Sequence, residues 1–132
     1  MAYSEGKSYV ASGSINPASF VKIANSTDFA VAQATLSTDG LFGIAQQGVY
    51  GPPGIDPGVS AASAGQSELV DHQGDVCLLV AGTAGFTAGD DLSCDGNGYG
   101  ITAVAGMTVG AKALQTTING VLGRVEVRIG KL

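Results

Sequence analysis

Glycine and proline interrupt this chain so often that long helices are strongly disfavoured. The sequence has 21 glycines and 4 prolines in 132 residues, and a glycine in a helix interior costs about 1 kcal/mol relative to alanine. Between Phe20 and Leu132 the apolar runs are short, and none repeats with the 3.6-residue period of an amphipathic helix. In the last run Val125, Val127 and Ile129 alternate with charged residues. We therefore predict an all-β fold, a small antiparallel β-barrel or sandwich.

The turn-forming residues divide the chain into an N-terminal arm, one barrel domain and a long loop. Residues 1–16 are rich in Ser and Gly, and we predict an extended arm that lies on a neighbouring chain or on its own domain. Residues 17–132 form a single β-barrel domain. Within it, residues 48–58 contain Gly-Pro-Pro-Gly and Asp-Pro-Gly, which predict an inserted loop.

Apolar runs that flank polar turns predict two hairpins. The first joins residues 20–24 to residues 29–34, and the second joins residues 68–70 to residues 76–81. The run at 76–81 is apolar on both faces, which indicates a central strand.

The chain also repeats the order of its segments. An apolar run, a polar stretch ending in glycine and an apolar strand occur in this order in residues 41–82 and again in residues 108–130. We interpret this loose repeat as a duplicated strand-and-turn unit that serves as a scaffold.

The chain carries little charge for a soluble domain. Charged residues make up 13% of the sequence, about half of the roughly 25% typical of such domains, and the mean hydropathy is +0.27. Apolar surface without charged cover usually marks an interface. We therefore expect obligate assembly with itself or with a larger partner; the alternative is a monomer covered by uncharged polar residues.

The formal net charge of −5 comes without a basic stripe, since the six Lys and Arg residues are spread from Lys7 to Lys131. This distribution disfavours nucleic-acid binding, which needs clustered cations. The N-terminus has no apolar core of a signal peptide, and no apolar run approaches the roughly 20 residues of a membrane-spanning helix. We expect a protein that is made in the cytoplasm and does not enter a membrane.

Two glycine-rich stretches look like ion-binding loops but lack the residues that bind. Asp-Gly-Asn-Gly at 95–98 resembles the middle of a calcium loop, yet Ser93 and Val104 stand where the first and the last carboxylate are needed. The stretch 82–89 lacks the Lys-Ser/Thr ending of a phosphate loop and is followed by two aspartates. We predict tight turns at both places and no bound metal.

No set of residues suits catalysis. His72 is the only histidine, and its neighbour Asp71 should point to the opposite face of a strand, so we predict a solvated turn histidine. No nucleophile, base and orienting group come together in the sequence. Cys77 and Cys94 are too few for a disulfide framework, and we predict two free thiols. We therefore expect no catalytic residue, no cofactor and no enzyme.

The succession of motifs along the chain is similar to that of a known family. Phe-Thr-Ala-Gly-Asp-Asp-Leu at 86–92 and Val-Gly-Ala-Lys-Ala at 109–113 precede the alternating C-terminal strand. With Phe-Val-Lys-Ile at 20–23 and Leu-Phe-Gly-Ile-Ala at 41–45, this order resembles the small phage capsid decoration, or head cement, proteins. The resemblance covers about residues 20–132, and the arm matches none of the family's motifs.

This resemblance implies a β-rich structural protein of the virion. Such proteins sit as homotrimers on the outer surface of a phage head and join neighbouring subunits of the major capsid protein, without enzymatic activity. The residues that we predict to contact the capsid or another subunit lie on the arm and the inserted loop: Tyr3, Tyr9, Val10, Tyr50, Pro52, Pro53 and Ile55. The arm residues would act by strand addition or by packing.

A ligand- or glycan-binding β-module on a virion surface is the alternative function. Sugar binding usually recruits aromatic rings, and Tyr50 and Tyr99 are the tyrosines in predicted loops. The chain has no tryptophan, which weakens this alternative.

Overall fold

The computed structural model describes residues 7–24, 28–46 and 67–131, which fold into two β-sheets. The first sheet is a closed five-stranded barrel in the order β1-β3-β2-β4-β5. Its strands are β1 (Lys7–Ala11), β2 (Ser19–Ile23), β3 (Ala30–Gln33), β4 (Leu41–Ala45) and β5 (Ser67–Asp71). Four of the neighbouring pairs are antiparallel and one pair, β1 with β3, is parallel.

The second sheet also has five strands, in the order β6-β10-β9-β7-β8, and all of its neighbours are antiparallel. Its strands are β6 (Val76–Val80), β7 (Asp91–Cys94), β8 (Gly100–Thr102), β9 (Thr108–Ala113) and β10 (Leu122–Lys131). The predicted all-β fold class, a small and mainly antiparallel barrel or sandwich, is confirmed.

Two apolar cores hold the sheets. The smaller core fills the barrel and consists of Ala11, Ile15, Val21, Val31, Ala45 and Val70. The larger core joins the two sheets, because Phe20, Leu41 and Ile44 of the barrel belong to the same buried cluster as Leu79 and Val125 of the second sheet. Phe20 is the largest fully buried side chain in the described part of the chain.

The first predicted hairpin is confirmed. β2 and β3 pair antiparallel, with Val21 opposite Gln33 and Ile23 opposite Val31. The Gln33 side chain strengthens the pairing, because its Nε2 donates to the carbonyl oxygen of Phe20 at 2.8 Å.

The second predicted hairpin is wrong, because β5 and β6 belong to different sheets. Both edges of β5 are already occupied, by β1 and by β4. The polar turn after β5 therefore carries the chain across to the second sheet. Asp75 closes this turn, accepting a hydrogen bond from the backbone N–H of His72 at 2.9 Å.

The predicted central position of residues 76–81 is also wrong. β6 is the first strand of its sheet and pairs with β10. The apolar residues on both faces of β6 are typical of a central strand, yet Leu78 is 39% exposed. The alternation therefore leaves an aliphatic side chain on the surface.

The alternation predicted for the C-terminal strand holds over most of its length. Val125 and Val127 are fully buried, whereas Arg124 and Arg128 are exposed. Ile129, predicted to be buried, is 40% exposed. The register against β9 shifts between Val127 and Gly130, and the extra residue of this β-bulge turns Ile129 outward.

The part of the predicted arm that the structure describes contains β1, a strand of the barrel. Val10 lies opposite Ala30 of β3 and opposite Ser67 of β5. Ile15, also within the predicted arm, is fully buried in the barrel core. Residues 7–11 thus lie on their own domain, the second of the two positions considered for the arm.

The repeat inferred from the sequence does not describe the fold. In its second copy the two strands, β9 and β10, are hydrogen-bonded neighbours. In its first copy the corresponding strands, β4 and β6, lie in different sheets. The match arose because short apolar runs followed by glycine occur in both halves of a β-rich chain.

Asp39 fixes the turn before β4. Its Oδ2 accepts hydrogen bonds from the backbone N–H groups of Thr35 and Leu36, both at 3.0 Å, and its Oδ1 lies 3.4 Å from Nζ of Lys22. Burial of the carboxylate raises its pKa, but these hydrogen bonds and the Lys22 charge outweigh that effect and lower the pKa below 3.8.

We expect this carboxylate to make stability depend on acid pH. A group whose pKa is lower in the folded state contributes stability above its unfolded pKa, and this contribution is lost as the pH falls through the folded pKa. Asp39→Asn should cost about 1 kcal/mol at neutral pH. Between about pH 5 and about pH 3 the wild type should then lose more stability than the variant. Urea unfolding at each pH measures both, and parallel pH profiles would contradict the assignment.

Candidate contact surfaces

Tyr9, a predicted contact residue, is half-buried and packs within its own domain. Its ring centroid lies 5.3 Å from that of Phe42 in an edge-to-face arrangement and 5.4 Å from that of His72. Phe42 and His72 are themselves 5.0 Å apart. His72 is therefore part of an aromatic cluster, which corrects the prediction of a solvated turn histidine.

Val10 is paired on both edges of β1, so strand addition at this residue would have to displace one of its partners. Val10 has Ala30 on one side and Ser67 on the other. Of the two proposed modes of contact, side-chain packing needs no such displacement at Val10, which is 38% exposed.

Val10 lies in a group of exposed residues at one end of the barrel. Its backbone N–H donates to the carbonyl oxygen of Phe29 at 2.8 Å. Phe29 is 78% exposed, and Ile23, at the end of the hairpin strand beside β3, is 47% exposed. Asp28 is exposed next to Phe29. We call these four residues the rim patch: Val10, Ile23, Asp28 and Phe29.

Phe29 combines high side-chain exposure with an uncommon backbone conformation. Its φ angle is 55°, a left-handed conformation that bulky residues rarely adopt. Such conformations cost of the order of 1–3 kcal/mol and cluster at functional sites. From the sequence, Phe29 was predicted to begin a strand. In the structure it precedes β3, which begins at Ala30. The alternation pattern of a strand does not predict its left-handed backbone.

A second exposed group lies on the β6, β10 and β9 side of the second sheet. Leu78 stands opposite Arg124, and the backbone N–H of Leu114 donates to the carbonyl oxygen of Arg124 at 2.9 Å. Val80 stands opposite Leu122 in the next row of the same face. We call these residues the outer face: Leu78, Val80, Leu114, Leu122 and Arg124. Sequence reasoning missed it, because β6 was taken as central.

The two glycine-rich stretches form turns, as predicted. In the turn between β7 and β8, Oδ1 of Asp95 accepts hydrogen bonds from the backbone N–H groups of Asn97 and Tyr99, at 2.8 and 3.0 Å. In the stretch 82–89, the N–H of Gly85 donates to the carbonyl oxygen of Gly82 at 3.0 Å. The Asp95 carboxylate thus acts within its own turn.

Both cysteines are free thiols, as predicted. Burial raises the pKa of Cys94 to about 11, helped by the charges of Asp39 and Asp95. Burial and the Asp71 carboxylate raise the pKa of Cys77 further. A thiol with a raised pKa is largely protonated at neutral pH and is a poor nucleophile.

The remaining candidate residues fall into two groups. Tyr99, considered for sugar binding, is half-buried in the β7–β8 turn. The other predicted contact residues lie outside the described part of the chain: Tyr3, Tyr50, Pro52, Pro53 and Ile55.

The described residues show no group of three or more His, Cys, Asp or Glu side chains that could hold a metal ion. Within these residues no helix is long and apolar enough to cross a membrane.

Comparison with known proteins finds a likeness among solved structures. No protein-family model and no curated protein matches the chain. Among solved structures, the chain is similar to the N base of the head fiber gp8.5 of bacteriophage phi29, with a TM-score of 0.64. The match covers 98% of each chain at 14% sequence identity. At this identity the likeness shows a shared fold.

Proposed function

We propose that this protein is a structural component of a phage virion that binds the outer surface of the head as a homotrimer and cements neighbouring major capsid subunits. It has no catalytic role in this proposal. It is made in the host cytoplasm and taken up on the capsid exterior.

The observation that carries the proposal is the fold shared with a head fiber base over nearly the full length of both chains. A likeness limited to one sheet would be expected for many β proteins, since barrels and sandwiches recur with unrelated functions. Here the match covers 98% of both chains, and the matched protein is the base of a phage head fiber.

The surface of the protein supports an assembly role. Large apolar side chains are exposed on both sheets, with Phe29 at 78% and Leu114 at 46%, while charged residues make up 13% of the chain. Apolar surface of this kind is typical of proteins that bury it against a partner.

The mechanism is thermodynamic. A protein that binds an assembled shell and not its separated subunits stabilises the shell by mass action, in proportion to the logarithm of its concentration over the dissociation constant. A trimer that contacts several subunits at once gains further through avidity. No chemical step is needed.

Retention on heads tests the proposal. Purified protein is mixed with empty heads that lack it, and bound protein is separated by gradient sedimentation. We expect the wild type to sediment with the heads and Tyr50→Ser with Ile55→Ser to reduce its occupancy roughly tenfold, as loss of apolar contacts would. Val104→Ser is the matched control, since Val104 is 55% exposed and belongs to neither predicted surface.

Wild-type protein that does not sediment with heads at micromolar concentration would contradict the proposal. Point substitutions are preferred to deletion of the N-terminal segment, because such a deletion would remove β1 and open the barrel. A glycan array under the same conditions tests the alternative of a sugar-binding module. We expect the protein to bind no glycan on the array.

A further inference from the structure

Arg124, at the centre of the outer face, has no ion partner among the residues that the structure describes. Two other cations on β9 and β10 are paired, Lys112 with Asp91 at 3.4 Å and Arg128 with Glu126 at 3.1 Å. Around Arg124, within the described residues, no carboxylate oxygen comes within 4.0 Å of the guanidinium. The guanidinium is exposed and is therefore free to meet a carboxylate from outside.

The surroundings of Arg124 suit a protein interface. Leu78 and Leu114 flank it, 39% and 46% exposed, and the half-buried pair Val80 and Leu122 adjoins them. An arginine set among aliphatic side chains is typical of interface centres, where arginine is enriched and is often a hot spot. The outer face therefore fits an apolar partner surface that carries one acidic group.

The rim patch has the opposite charge in a similar setting. Val10, Ile23 and Phe29 are exposed apolar residues, and Asp28 among them is exposed too. Of the described cations, none lies within 4.0 Å of its carboxylate. The rim patch lies on the barrel, whereas the outer face lies on the second sheet. The two surfaces are therefore separate parts of the same molecule.

We propose that the rim patch of one copy docks on the outer face of the next copy, with Asp28 paired to Arg124. Each copy then supplies one apolar surface that carries an acid and one that carries a base, neither of which has an ion partner within the described residues. Because the two surfaces differ, the contact is heterologous and closes into a ring when the rotation between copies allows it. This inference deepens the homotrimer of the proposed function and rests on it.

Charge reversal tests the pairing without disturbing the fold, since neither side chain makes a hydrogen bond or an ion pair within the described residues. We expect Asp28→Arg and Arg124→Asp each to weaken self-association about 30-fold or more, as loss of one partner of a desolvated charge pair does. The double variant with both changes should recover the assembled mass. Light scattering and native mass spectrometry measure the mass, and urea unfolding verifies that each variant is folded.

Mixing the two single variants gives a second readout. The unchanged Asp28 of one variant faces the unchanged Arg124 of the other, and the two substituted residues also form an opposite pair. We therefore expect two variants that are monomeric alone to form mixed dimers with each other. The wild-type trimer mass should not return, because a ring of three places two copies of the same variant side by side with like charges facing. This outcome requires that the two positions meet across one interface.

Single variants with wild-type mass, or a mixture that stays monomeric, would overturn the inference. So would a monomeric wild type, even if it bound heads, in which case the proposed function would survive without this interface. Variants of unchanged mass that lose head binding would show that the capsid, and not a second copy, covers these surfaces. If the single variants lose assembly and the double variant recovers it, but no variant or wild type binds heads, the inference stands and the proposed function is refuted.

Discussion

Replacing Phe20 by alanine should lower the free energy of unfolding by about 4 kcal/mol, the loss seen when a large aromatic side chain is removed from a packed core. Phe20 is fully buried and belongs to the cluster that joins the barrel to the second sheet. A Cβ built on Gly110 of β9 would come within 2.5 Å of Cε1 of Phe20. The ring thus lies against the backbone of the second sheet, which cannot collapse readily into the cavity.

Ile118→Ala is the control, because it removes a large apolar side chain from a position that is 71% exposed and belongs to neither the rim patch nor the outer face. We expect a change within about 0.5 kcal/mol for it. Urea unfolding followed by circular dichroism gives both values. Similar losses for the two variants would mean that Phe20 does not anchor the contact between the sheets.

Gly43→Ala is expected to cost about 3 kcal/mol, near the upper end of the range for overpacking a core. A Cβ at this position in β4 would collide with the carbonyl oxygen of Asp71 and lie 2.8 Å from Cγ1 of Val70. Both residues belong to β5, which is paired on its other side with β1. The barrel therefore cannot give way at this place without losing pairing elsewhere.

Gly40→Ala provides the comparison for this prediction. A Cβ at Gly40 would meet nothing within 4 Å, and its φ angle is not positive. The variant should be neutral or slightly more stable, since alanine restricts the unfolded chain. If urea midpoints fall equally for both variants, the cost at Gly43 does not come from the close approach of β5.

Features of the fold that depend on neighbouring residues were predictable from the sequence. The β2–β3 hairpin follows from two apolar runs around a polar turn, and the turn at Asp95 follows from its Asp-Gly-Asn-Gly sequence. Burial of Val125 and Val127 follows from their alternation with charged residues.

Features that depend on distant strands were not predictable in this way. The turn after β5 reads as a hairpin, but β1 and β4 already occupy both edges of that strand, so the chain crosses to the other sheet. The bulge that exposes Ile129 is a matter of register with β9. Neither effect leaves a signal within a few residues of the position concerned.

Some residues of the contact surfaces were predictable from the sequence and others were not. Val10 was predicted as a contact residue, and its side chain is exposed. The exposed surface around Leu78 was missed, because β6 was taken as a central strand, whereas it lies at the edge of its sheet. Tyr9 was predicted to reach a neighbour but packs on Phe42 and His72, a contact between residues far apart in the sequence.

Closure of the barrel through β1 has a consequence for how the chain acquires its fold during synthesis. β1 leaves the ribosome first, yet its two neighbours are β3 and β5, and β5 ends at Asp71. The ring cannot close until that residue has emerged, and joining such distant segments carries the entropy cost of a long loop. Folding dominated by pairings of this range is slow. The β2–β3 hairpin would form first, and its apolar face would stay exposed until the remaining strands complete the barrel.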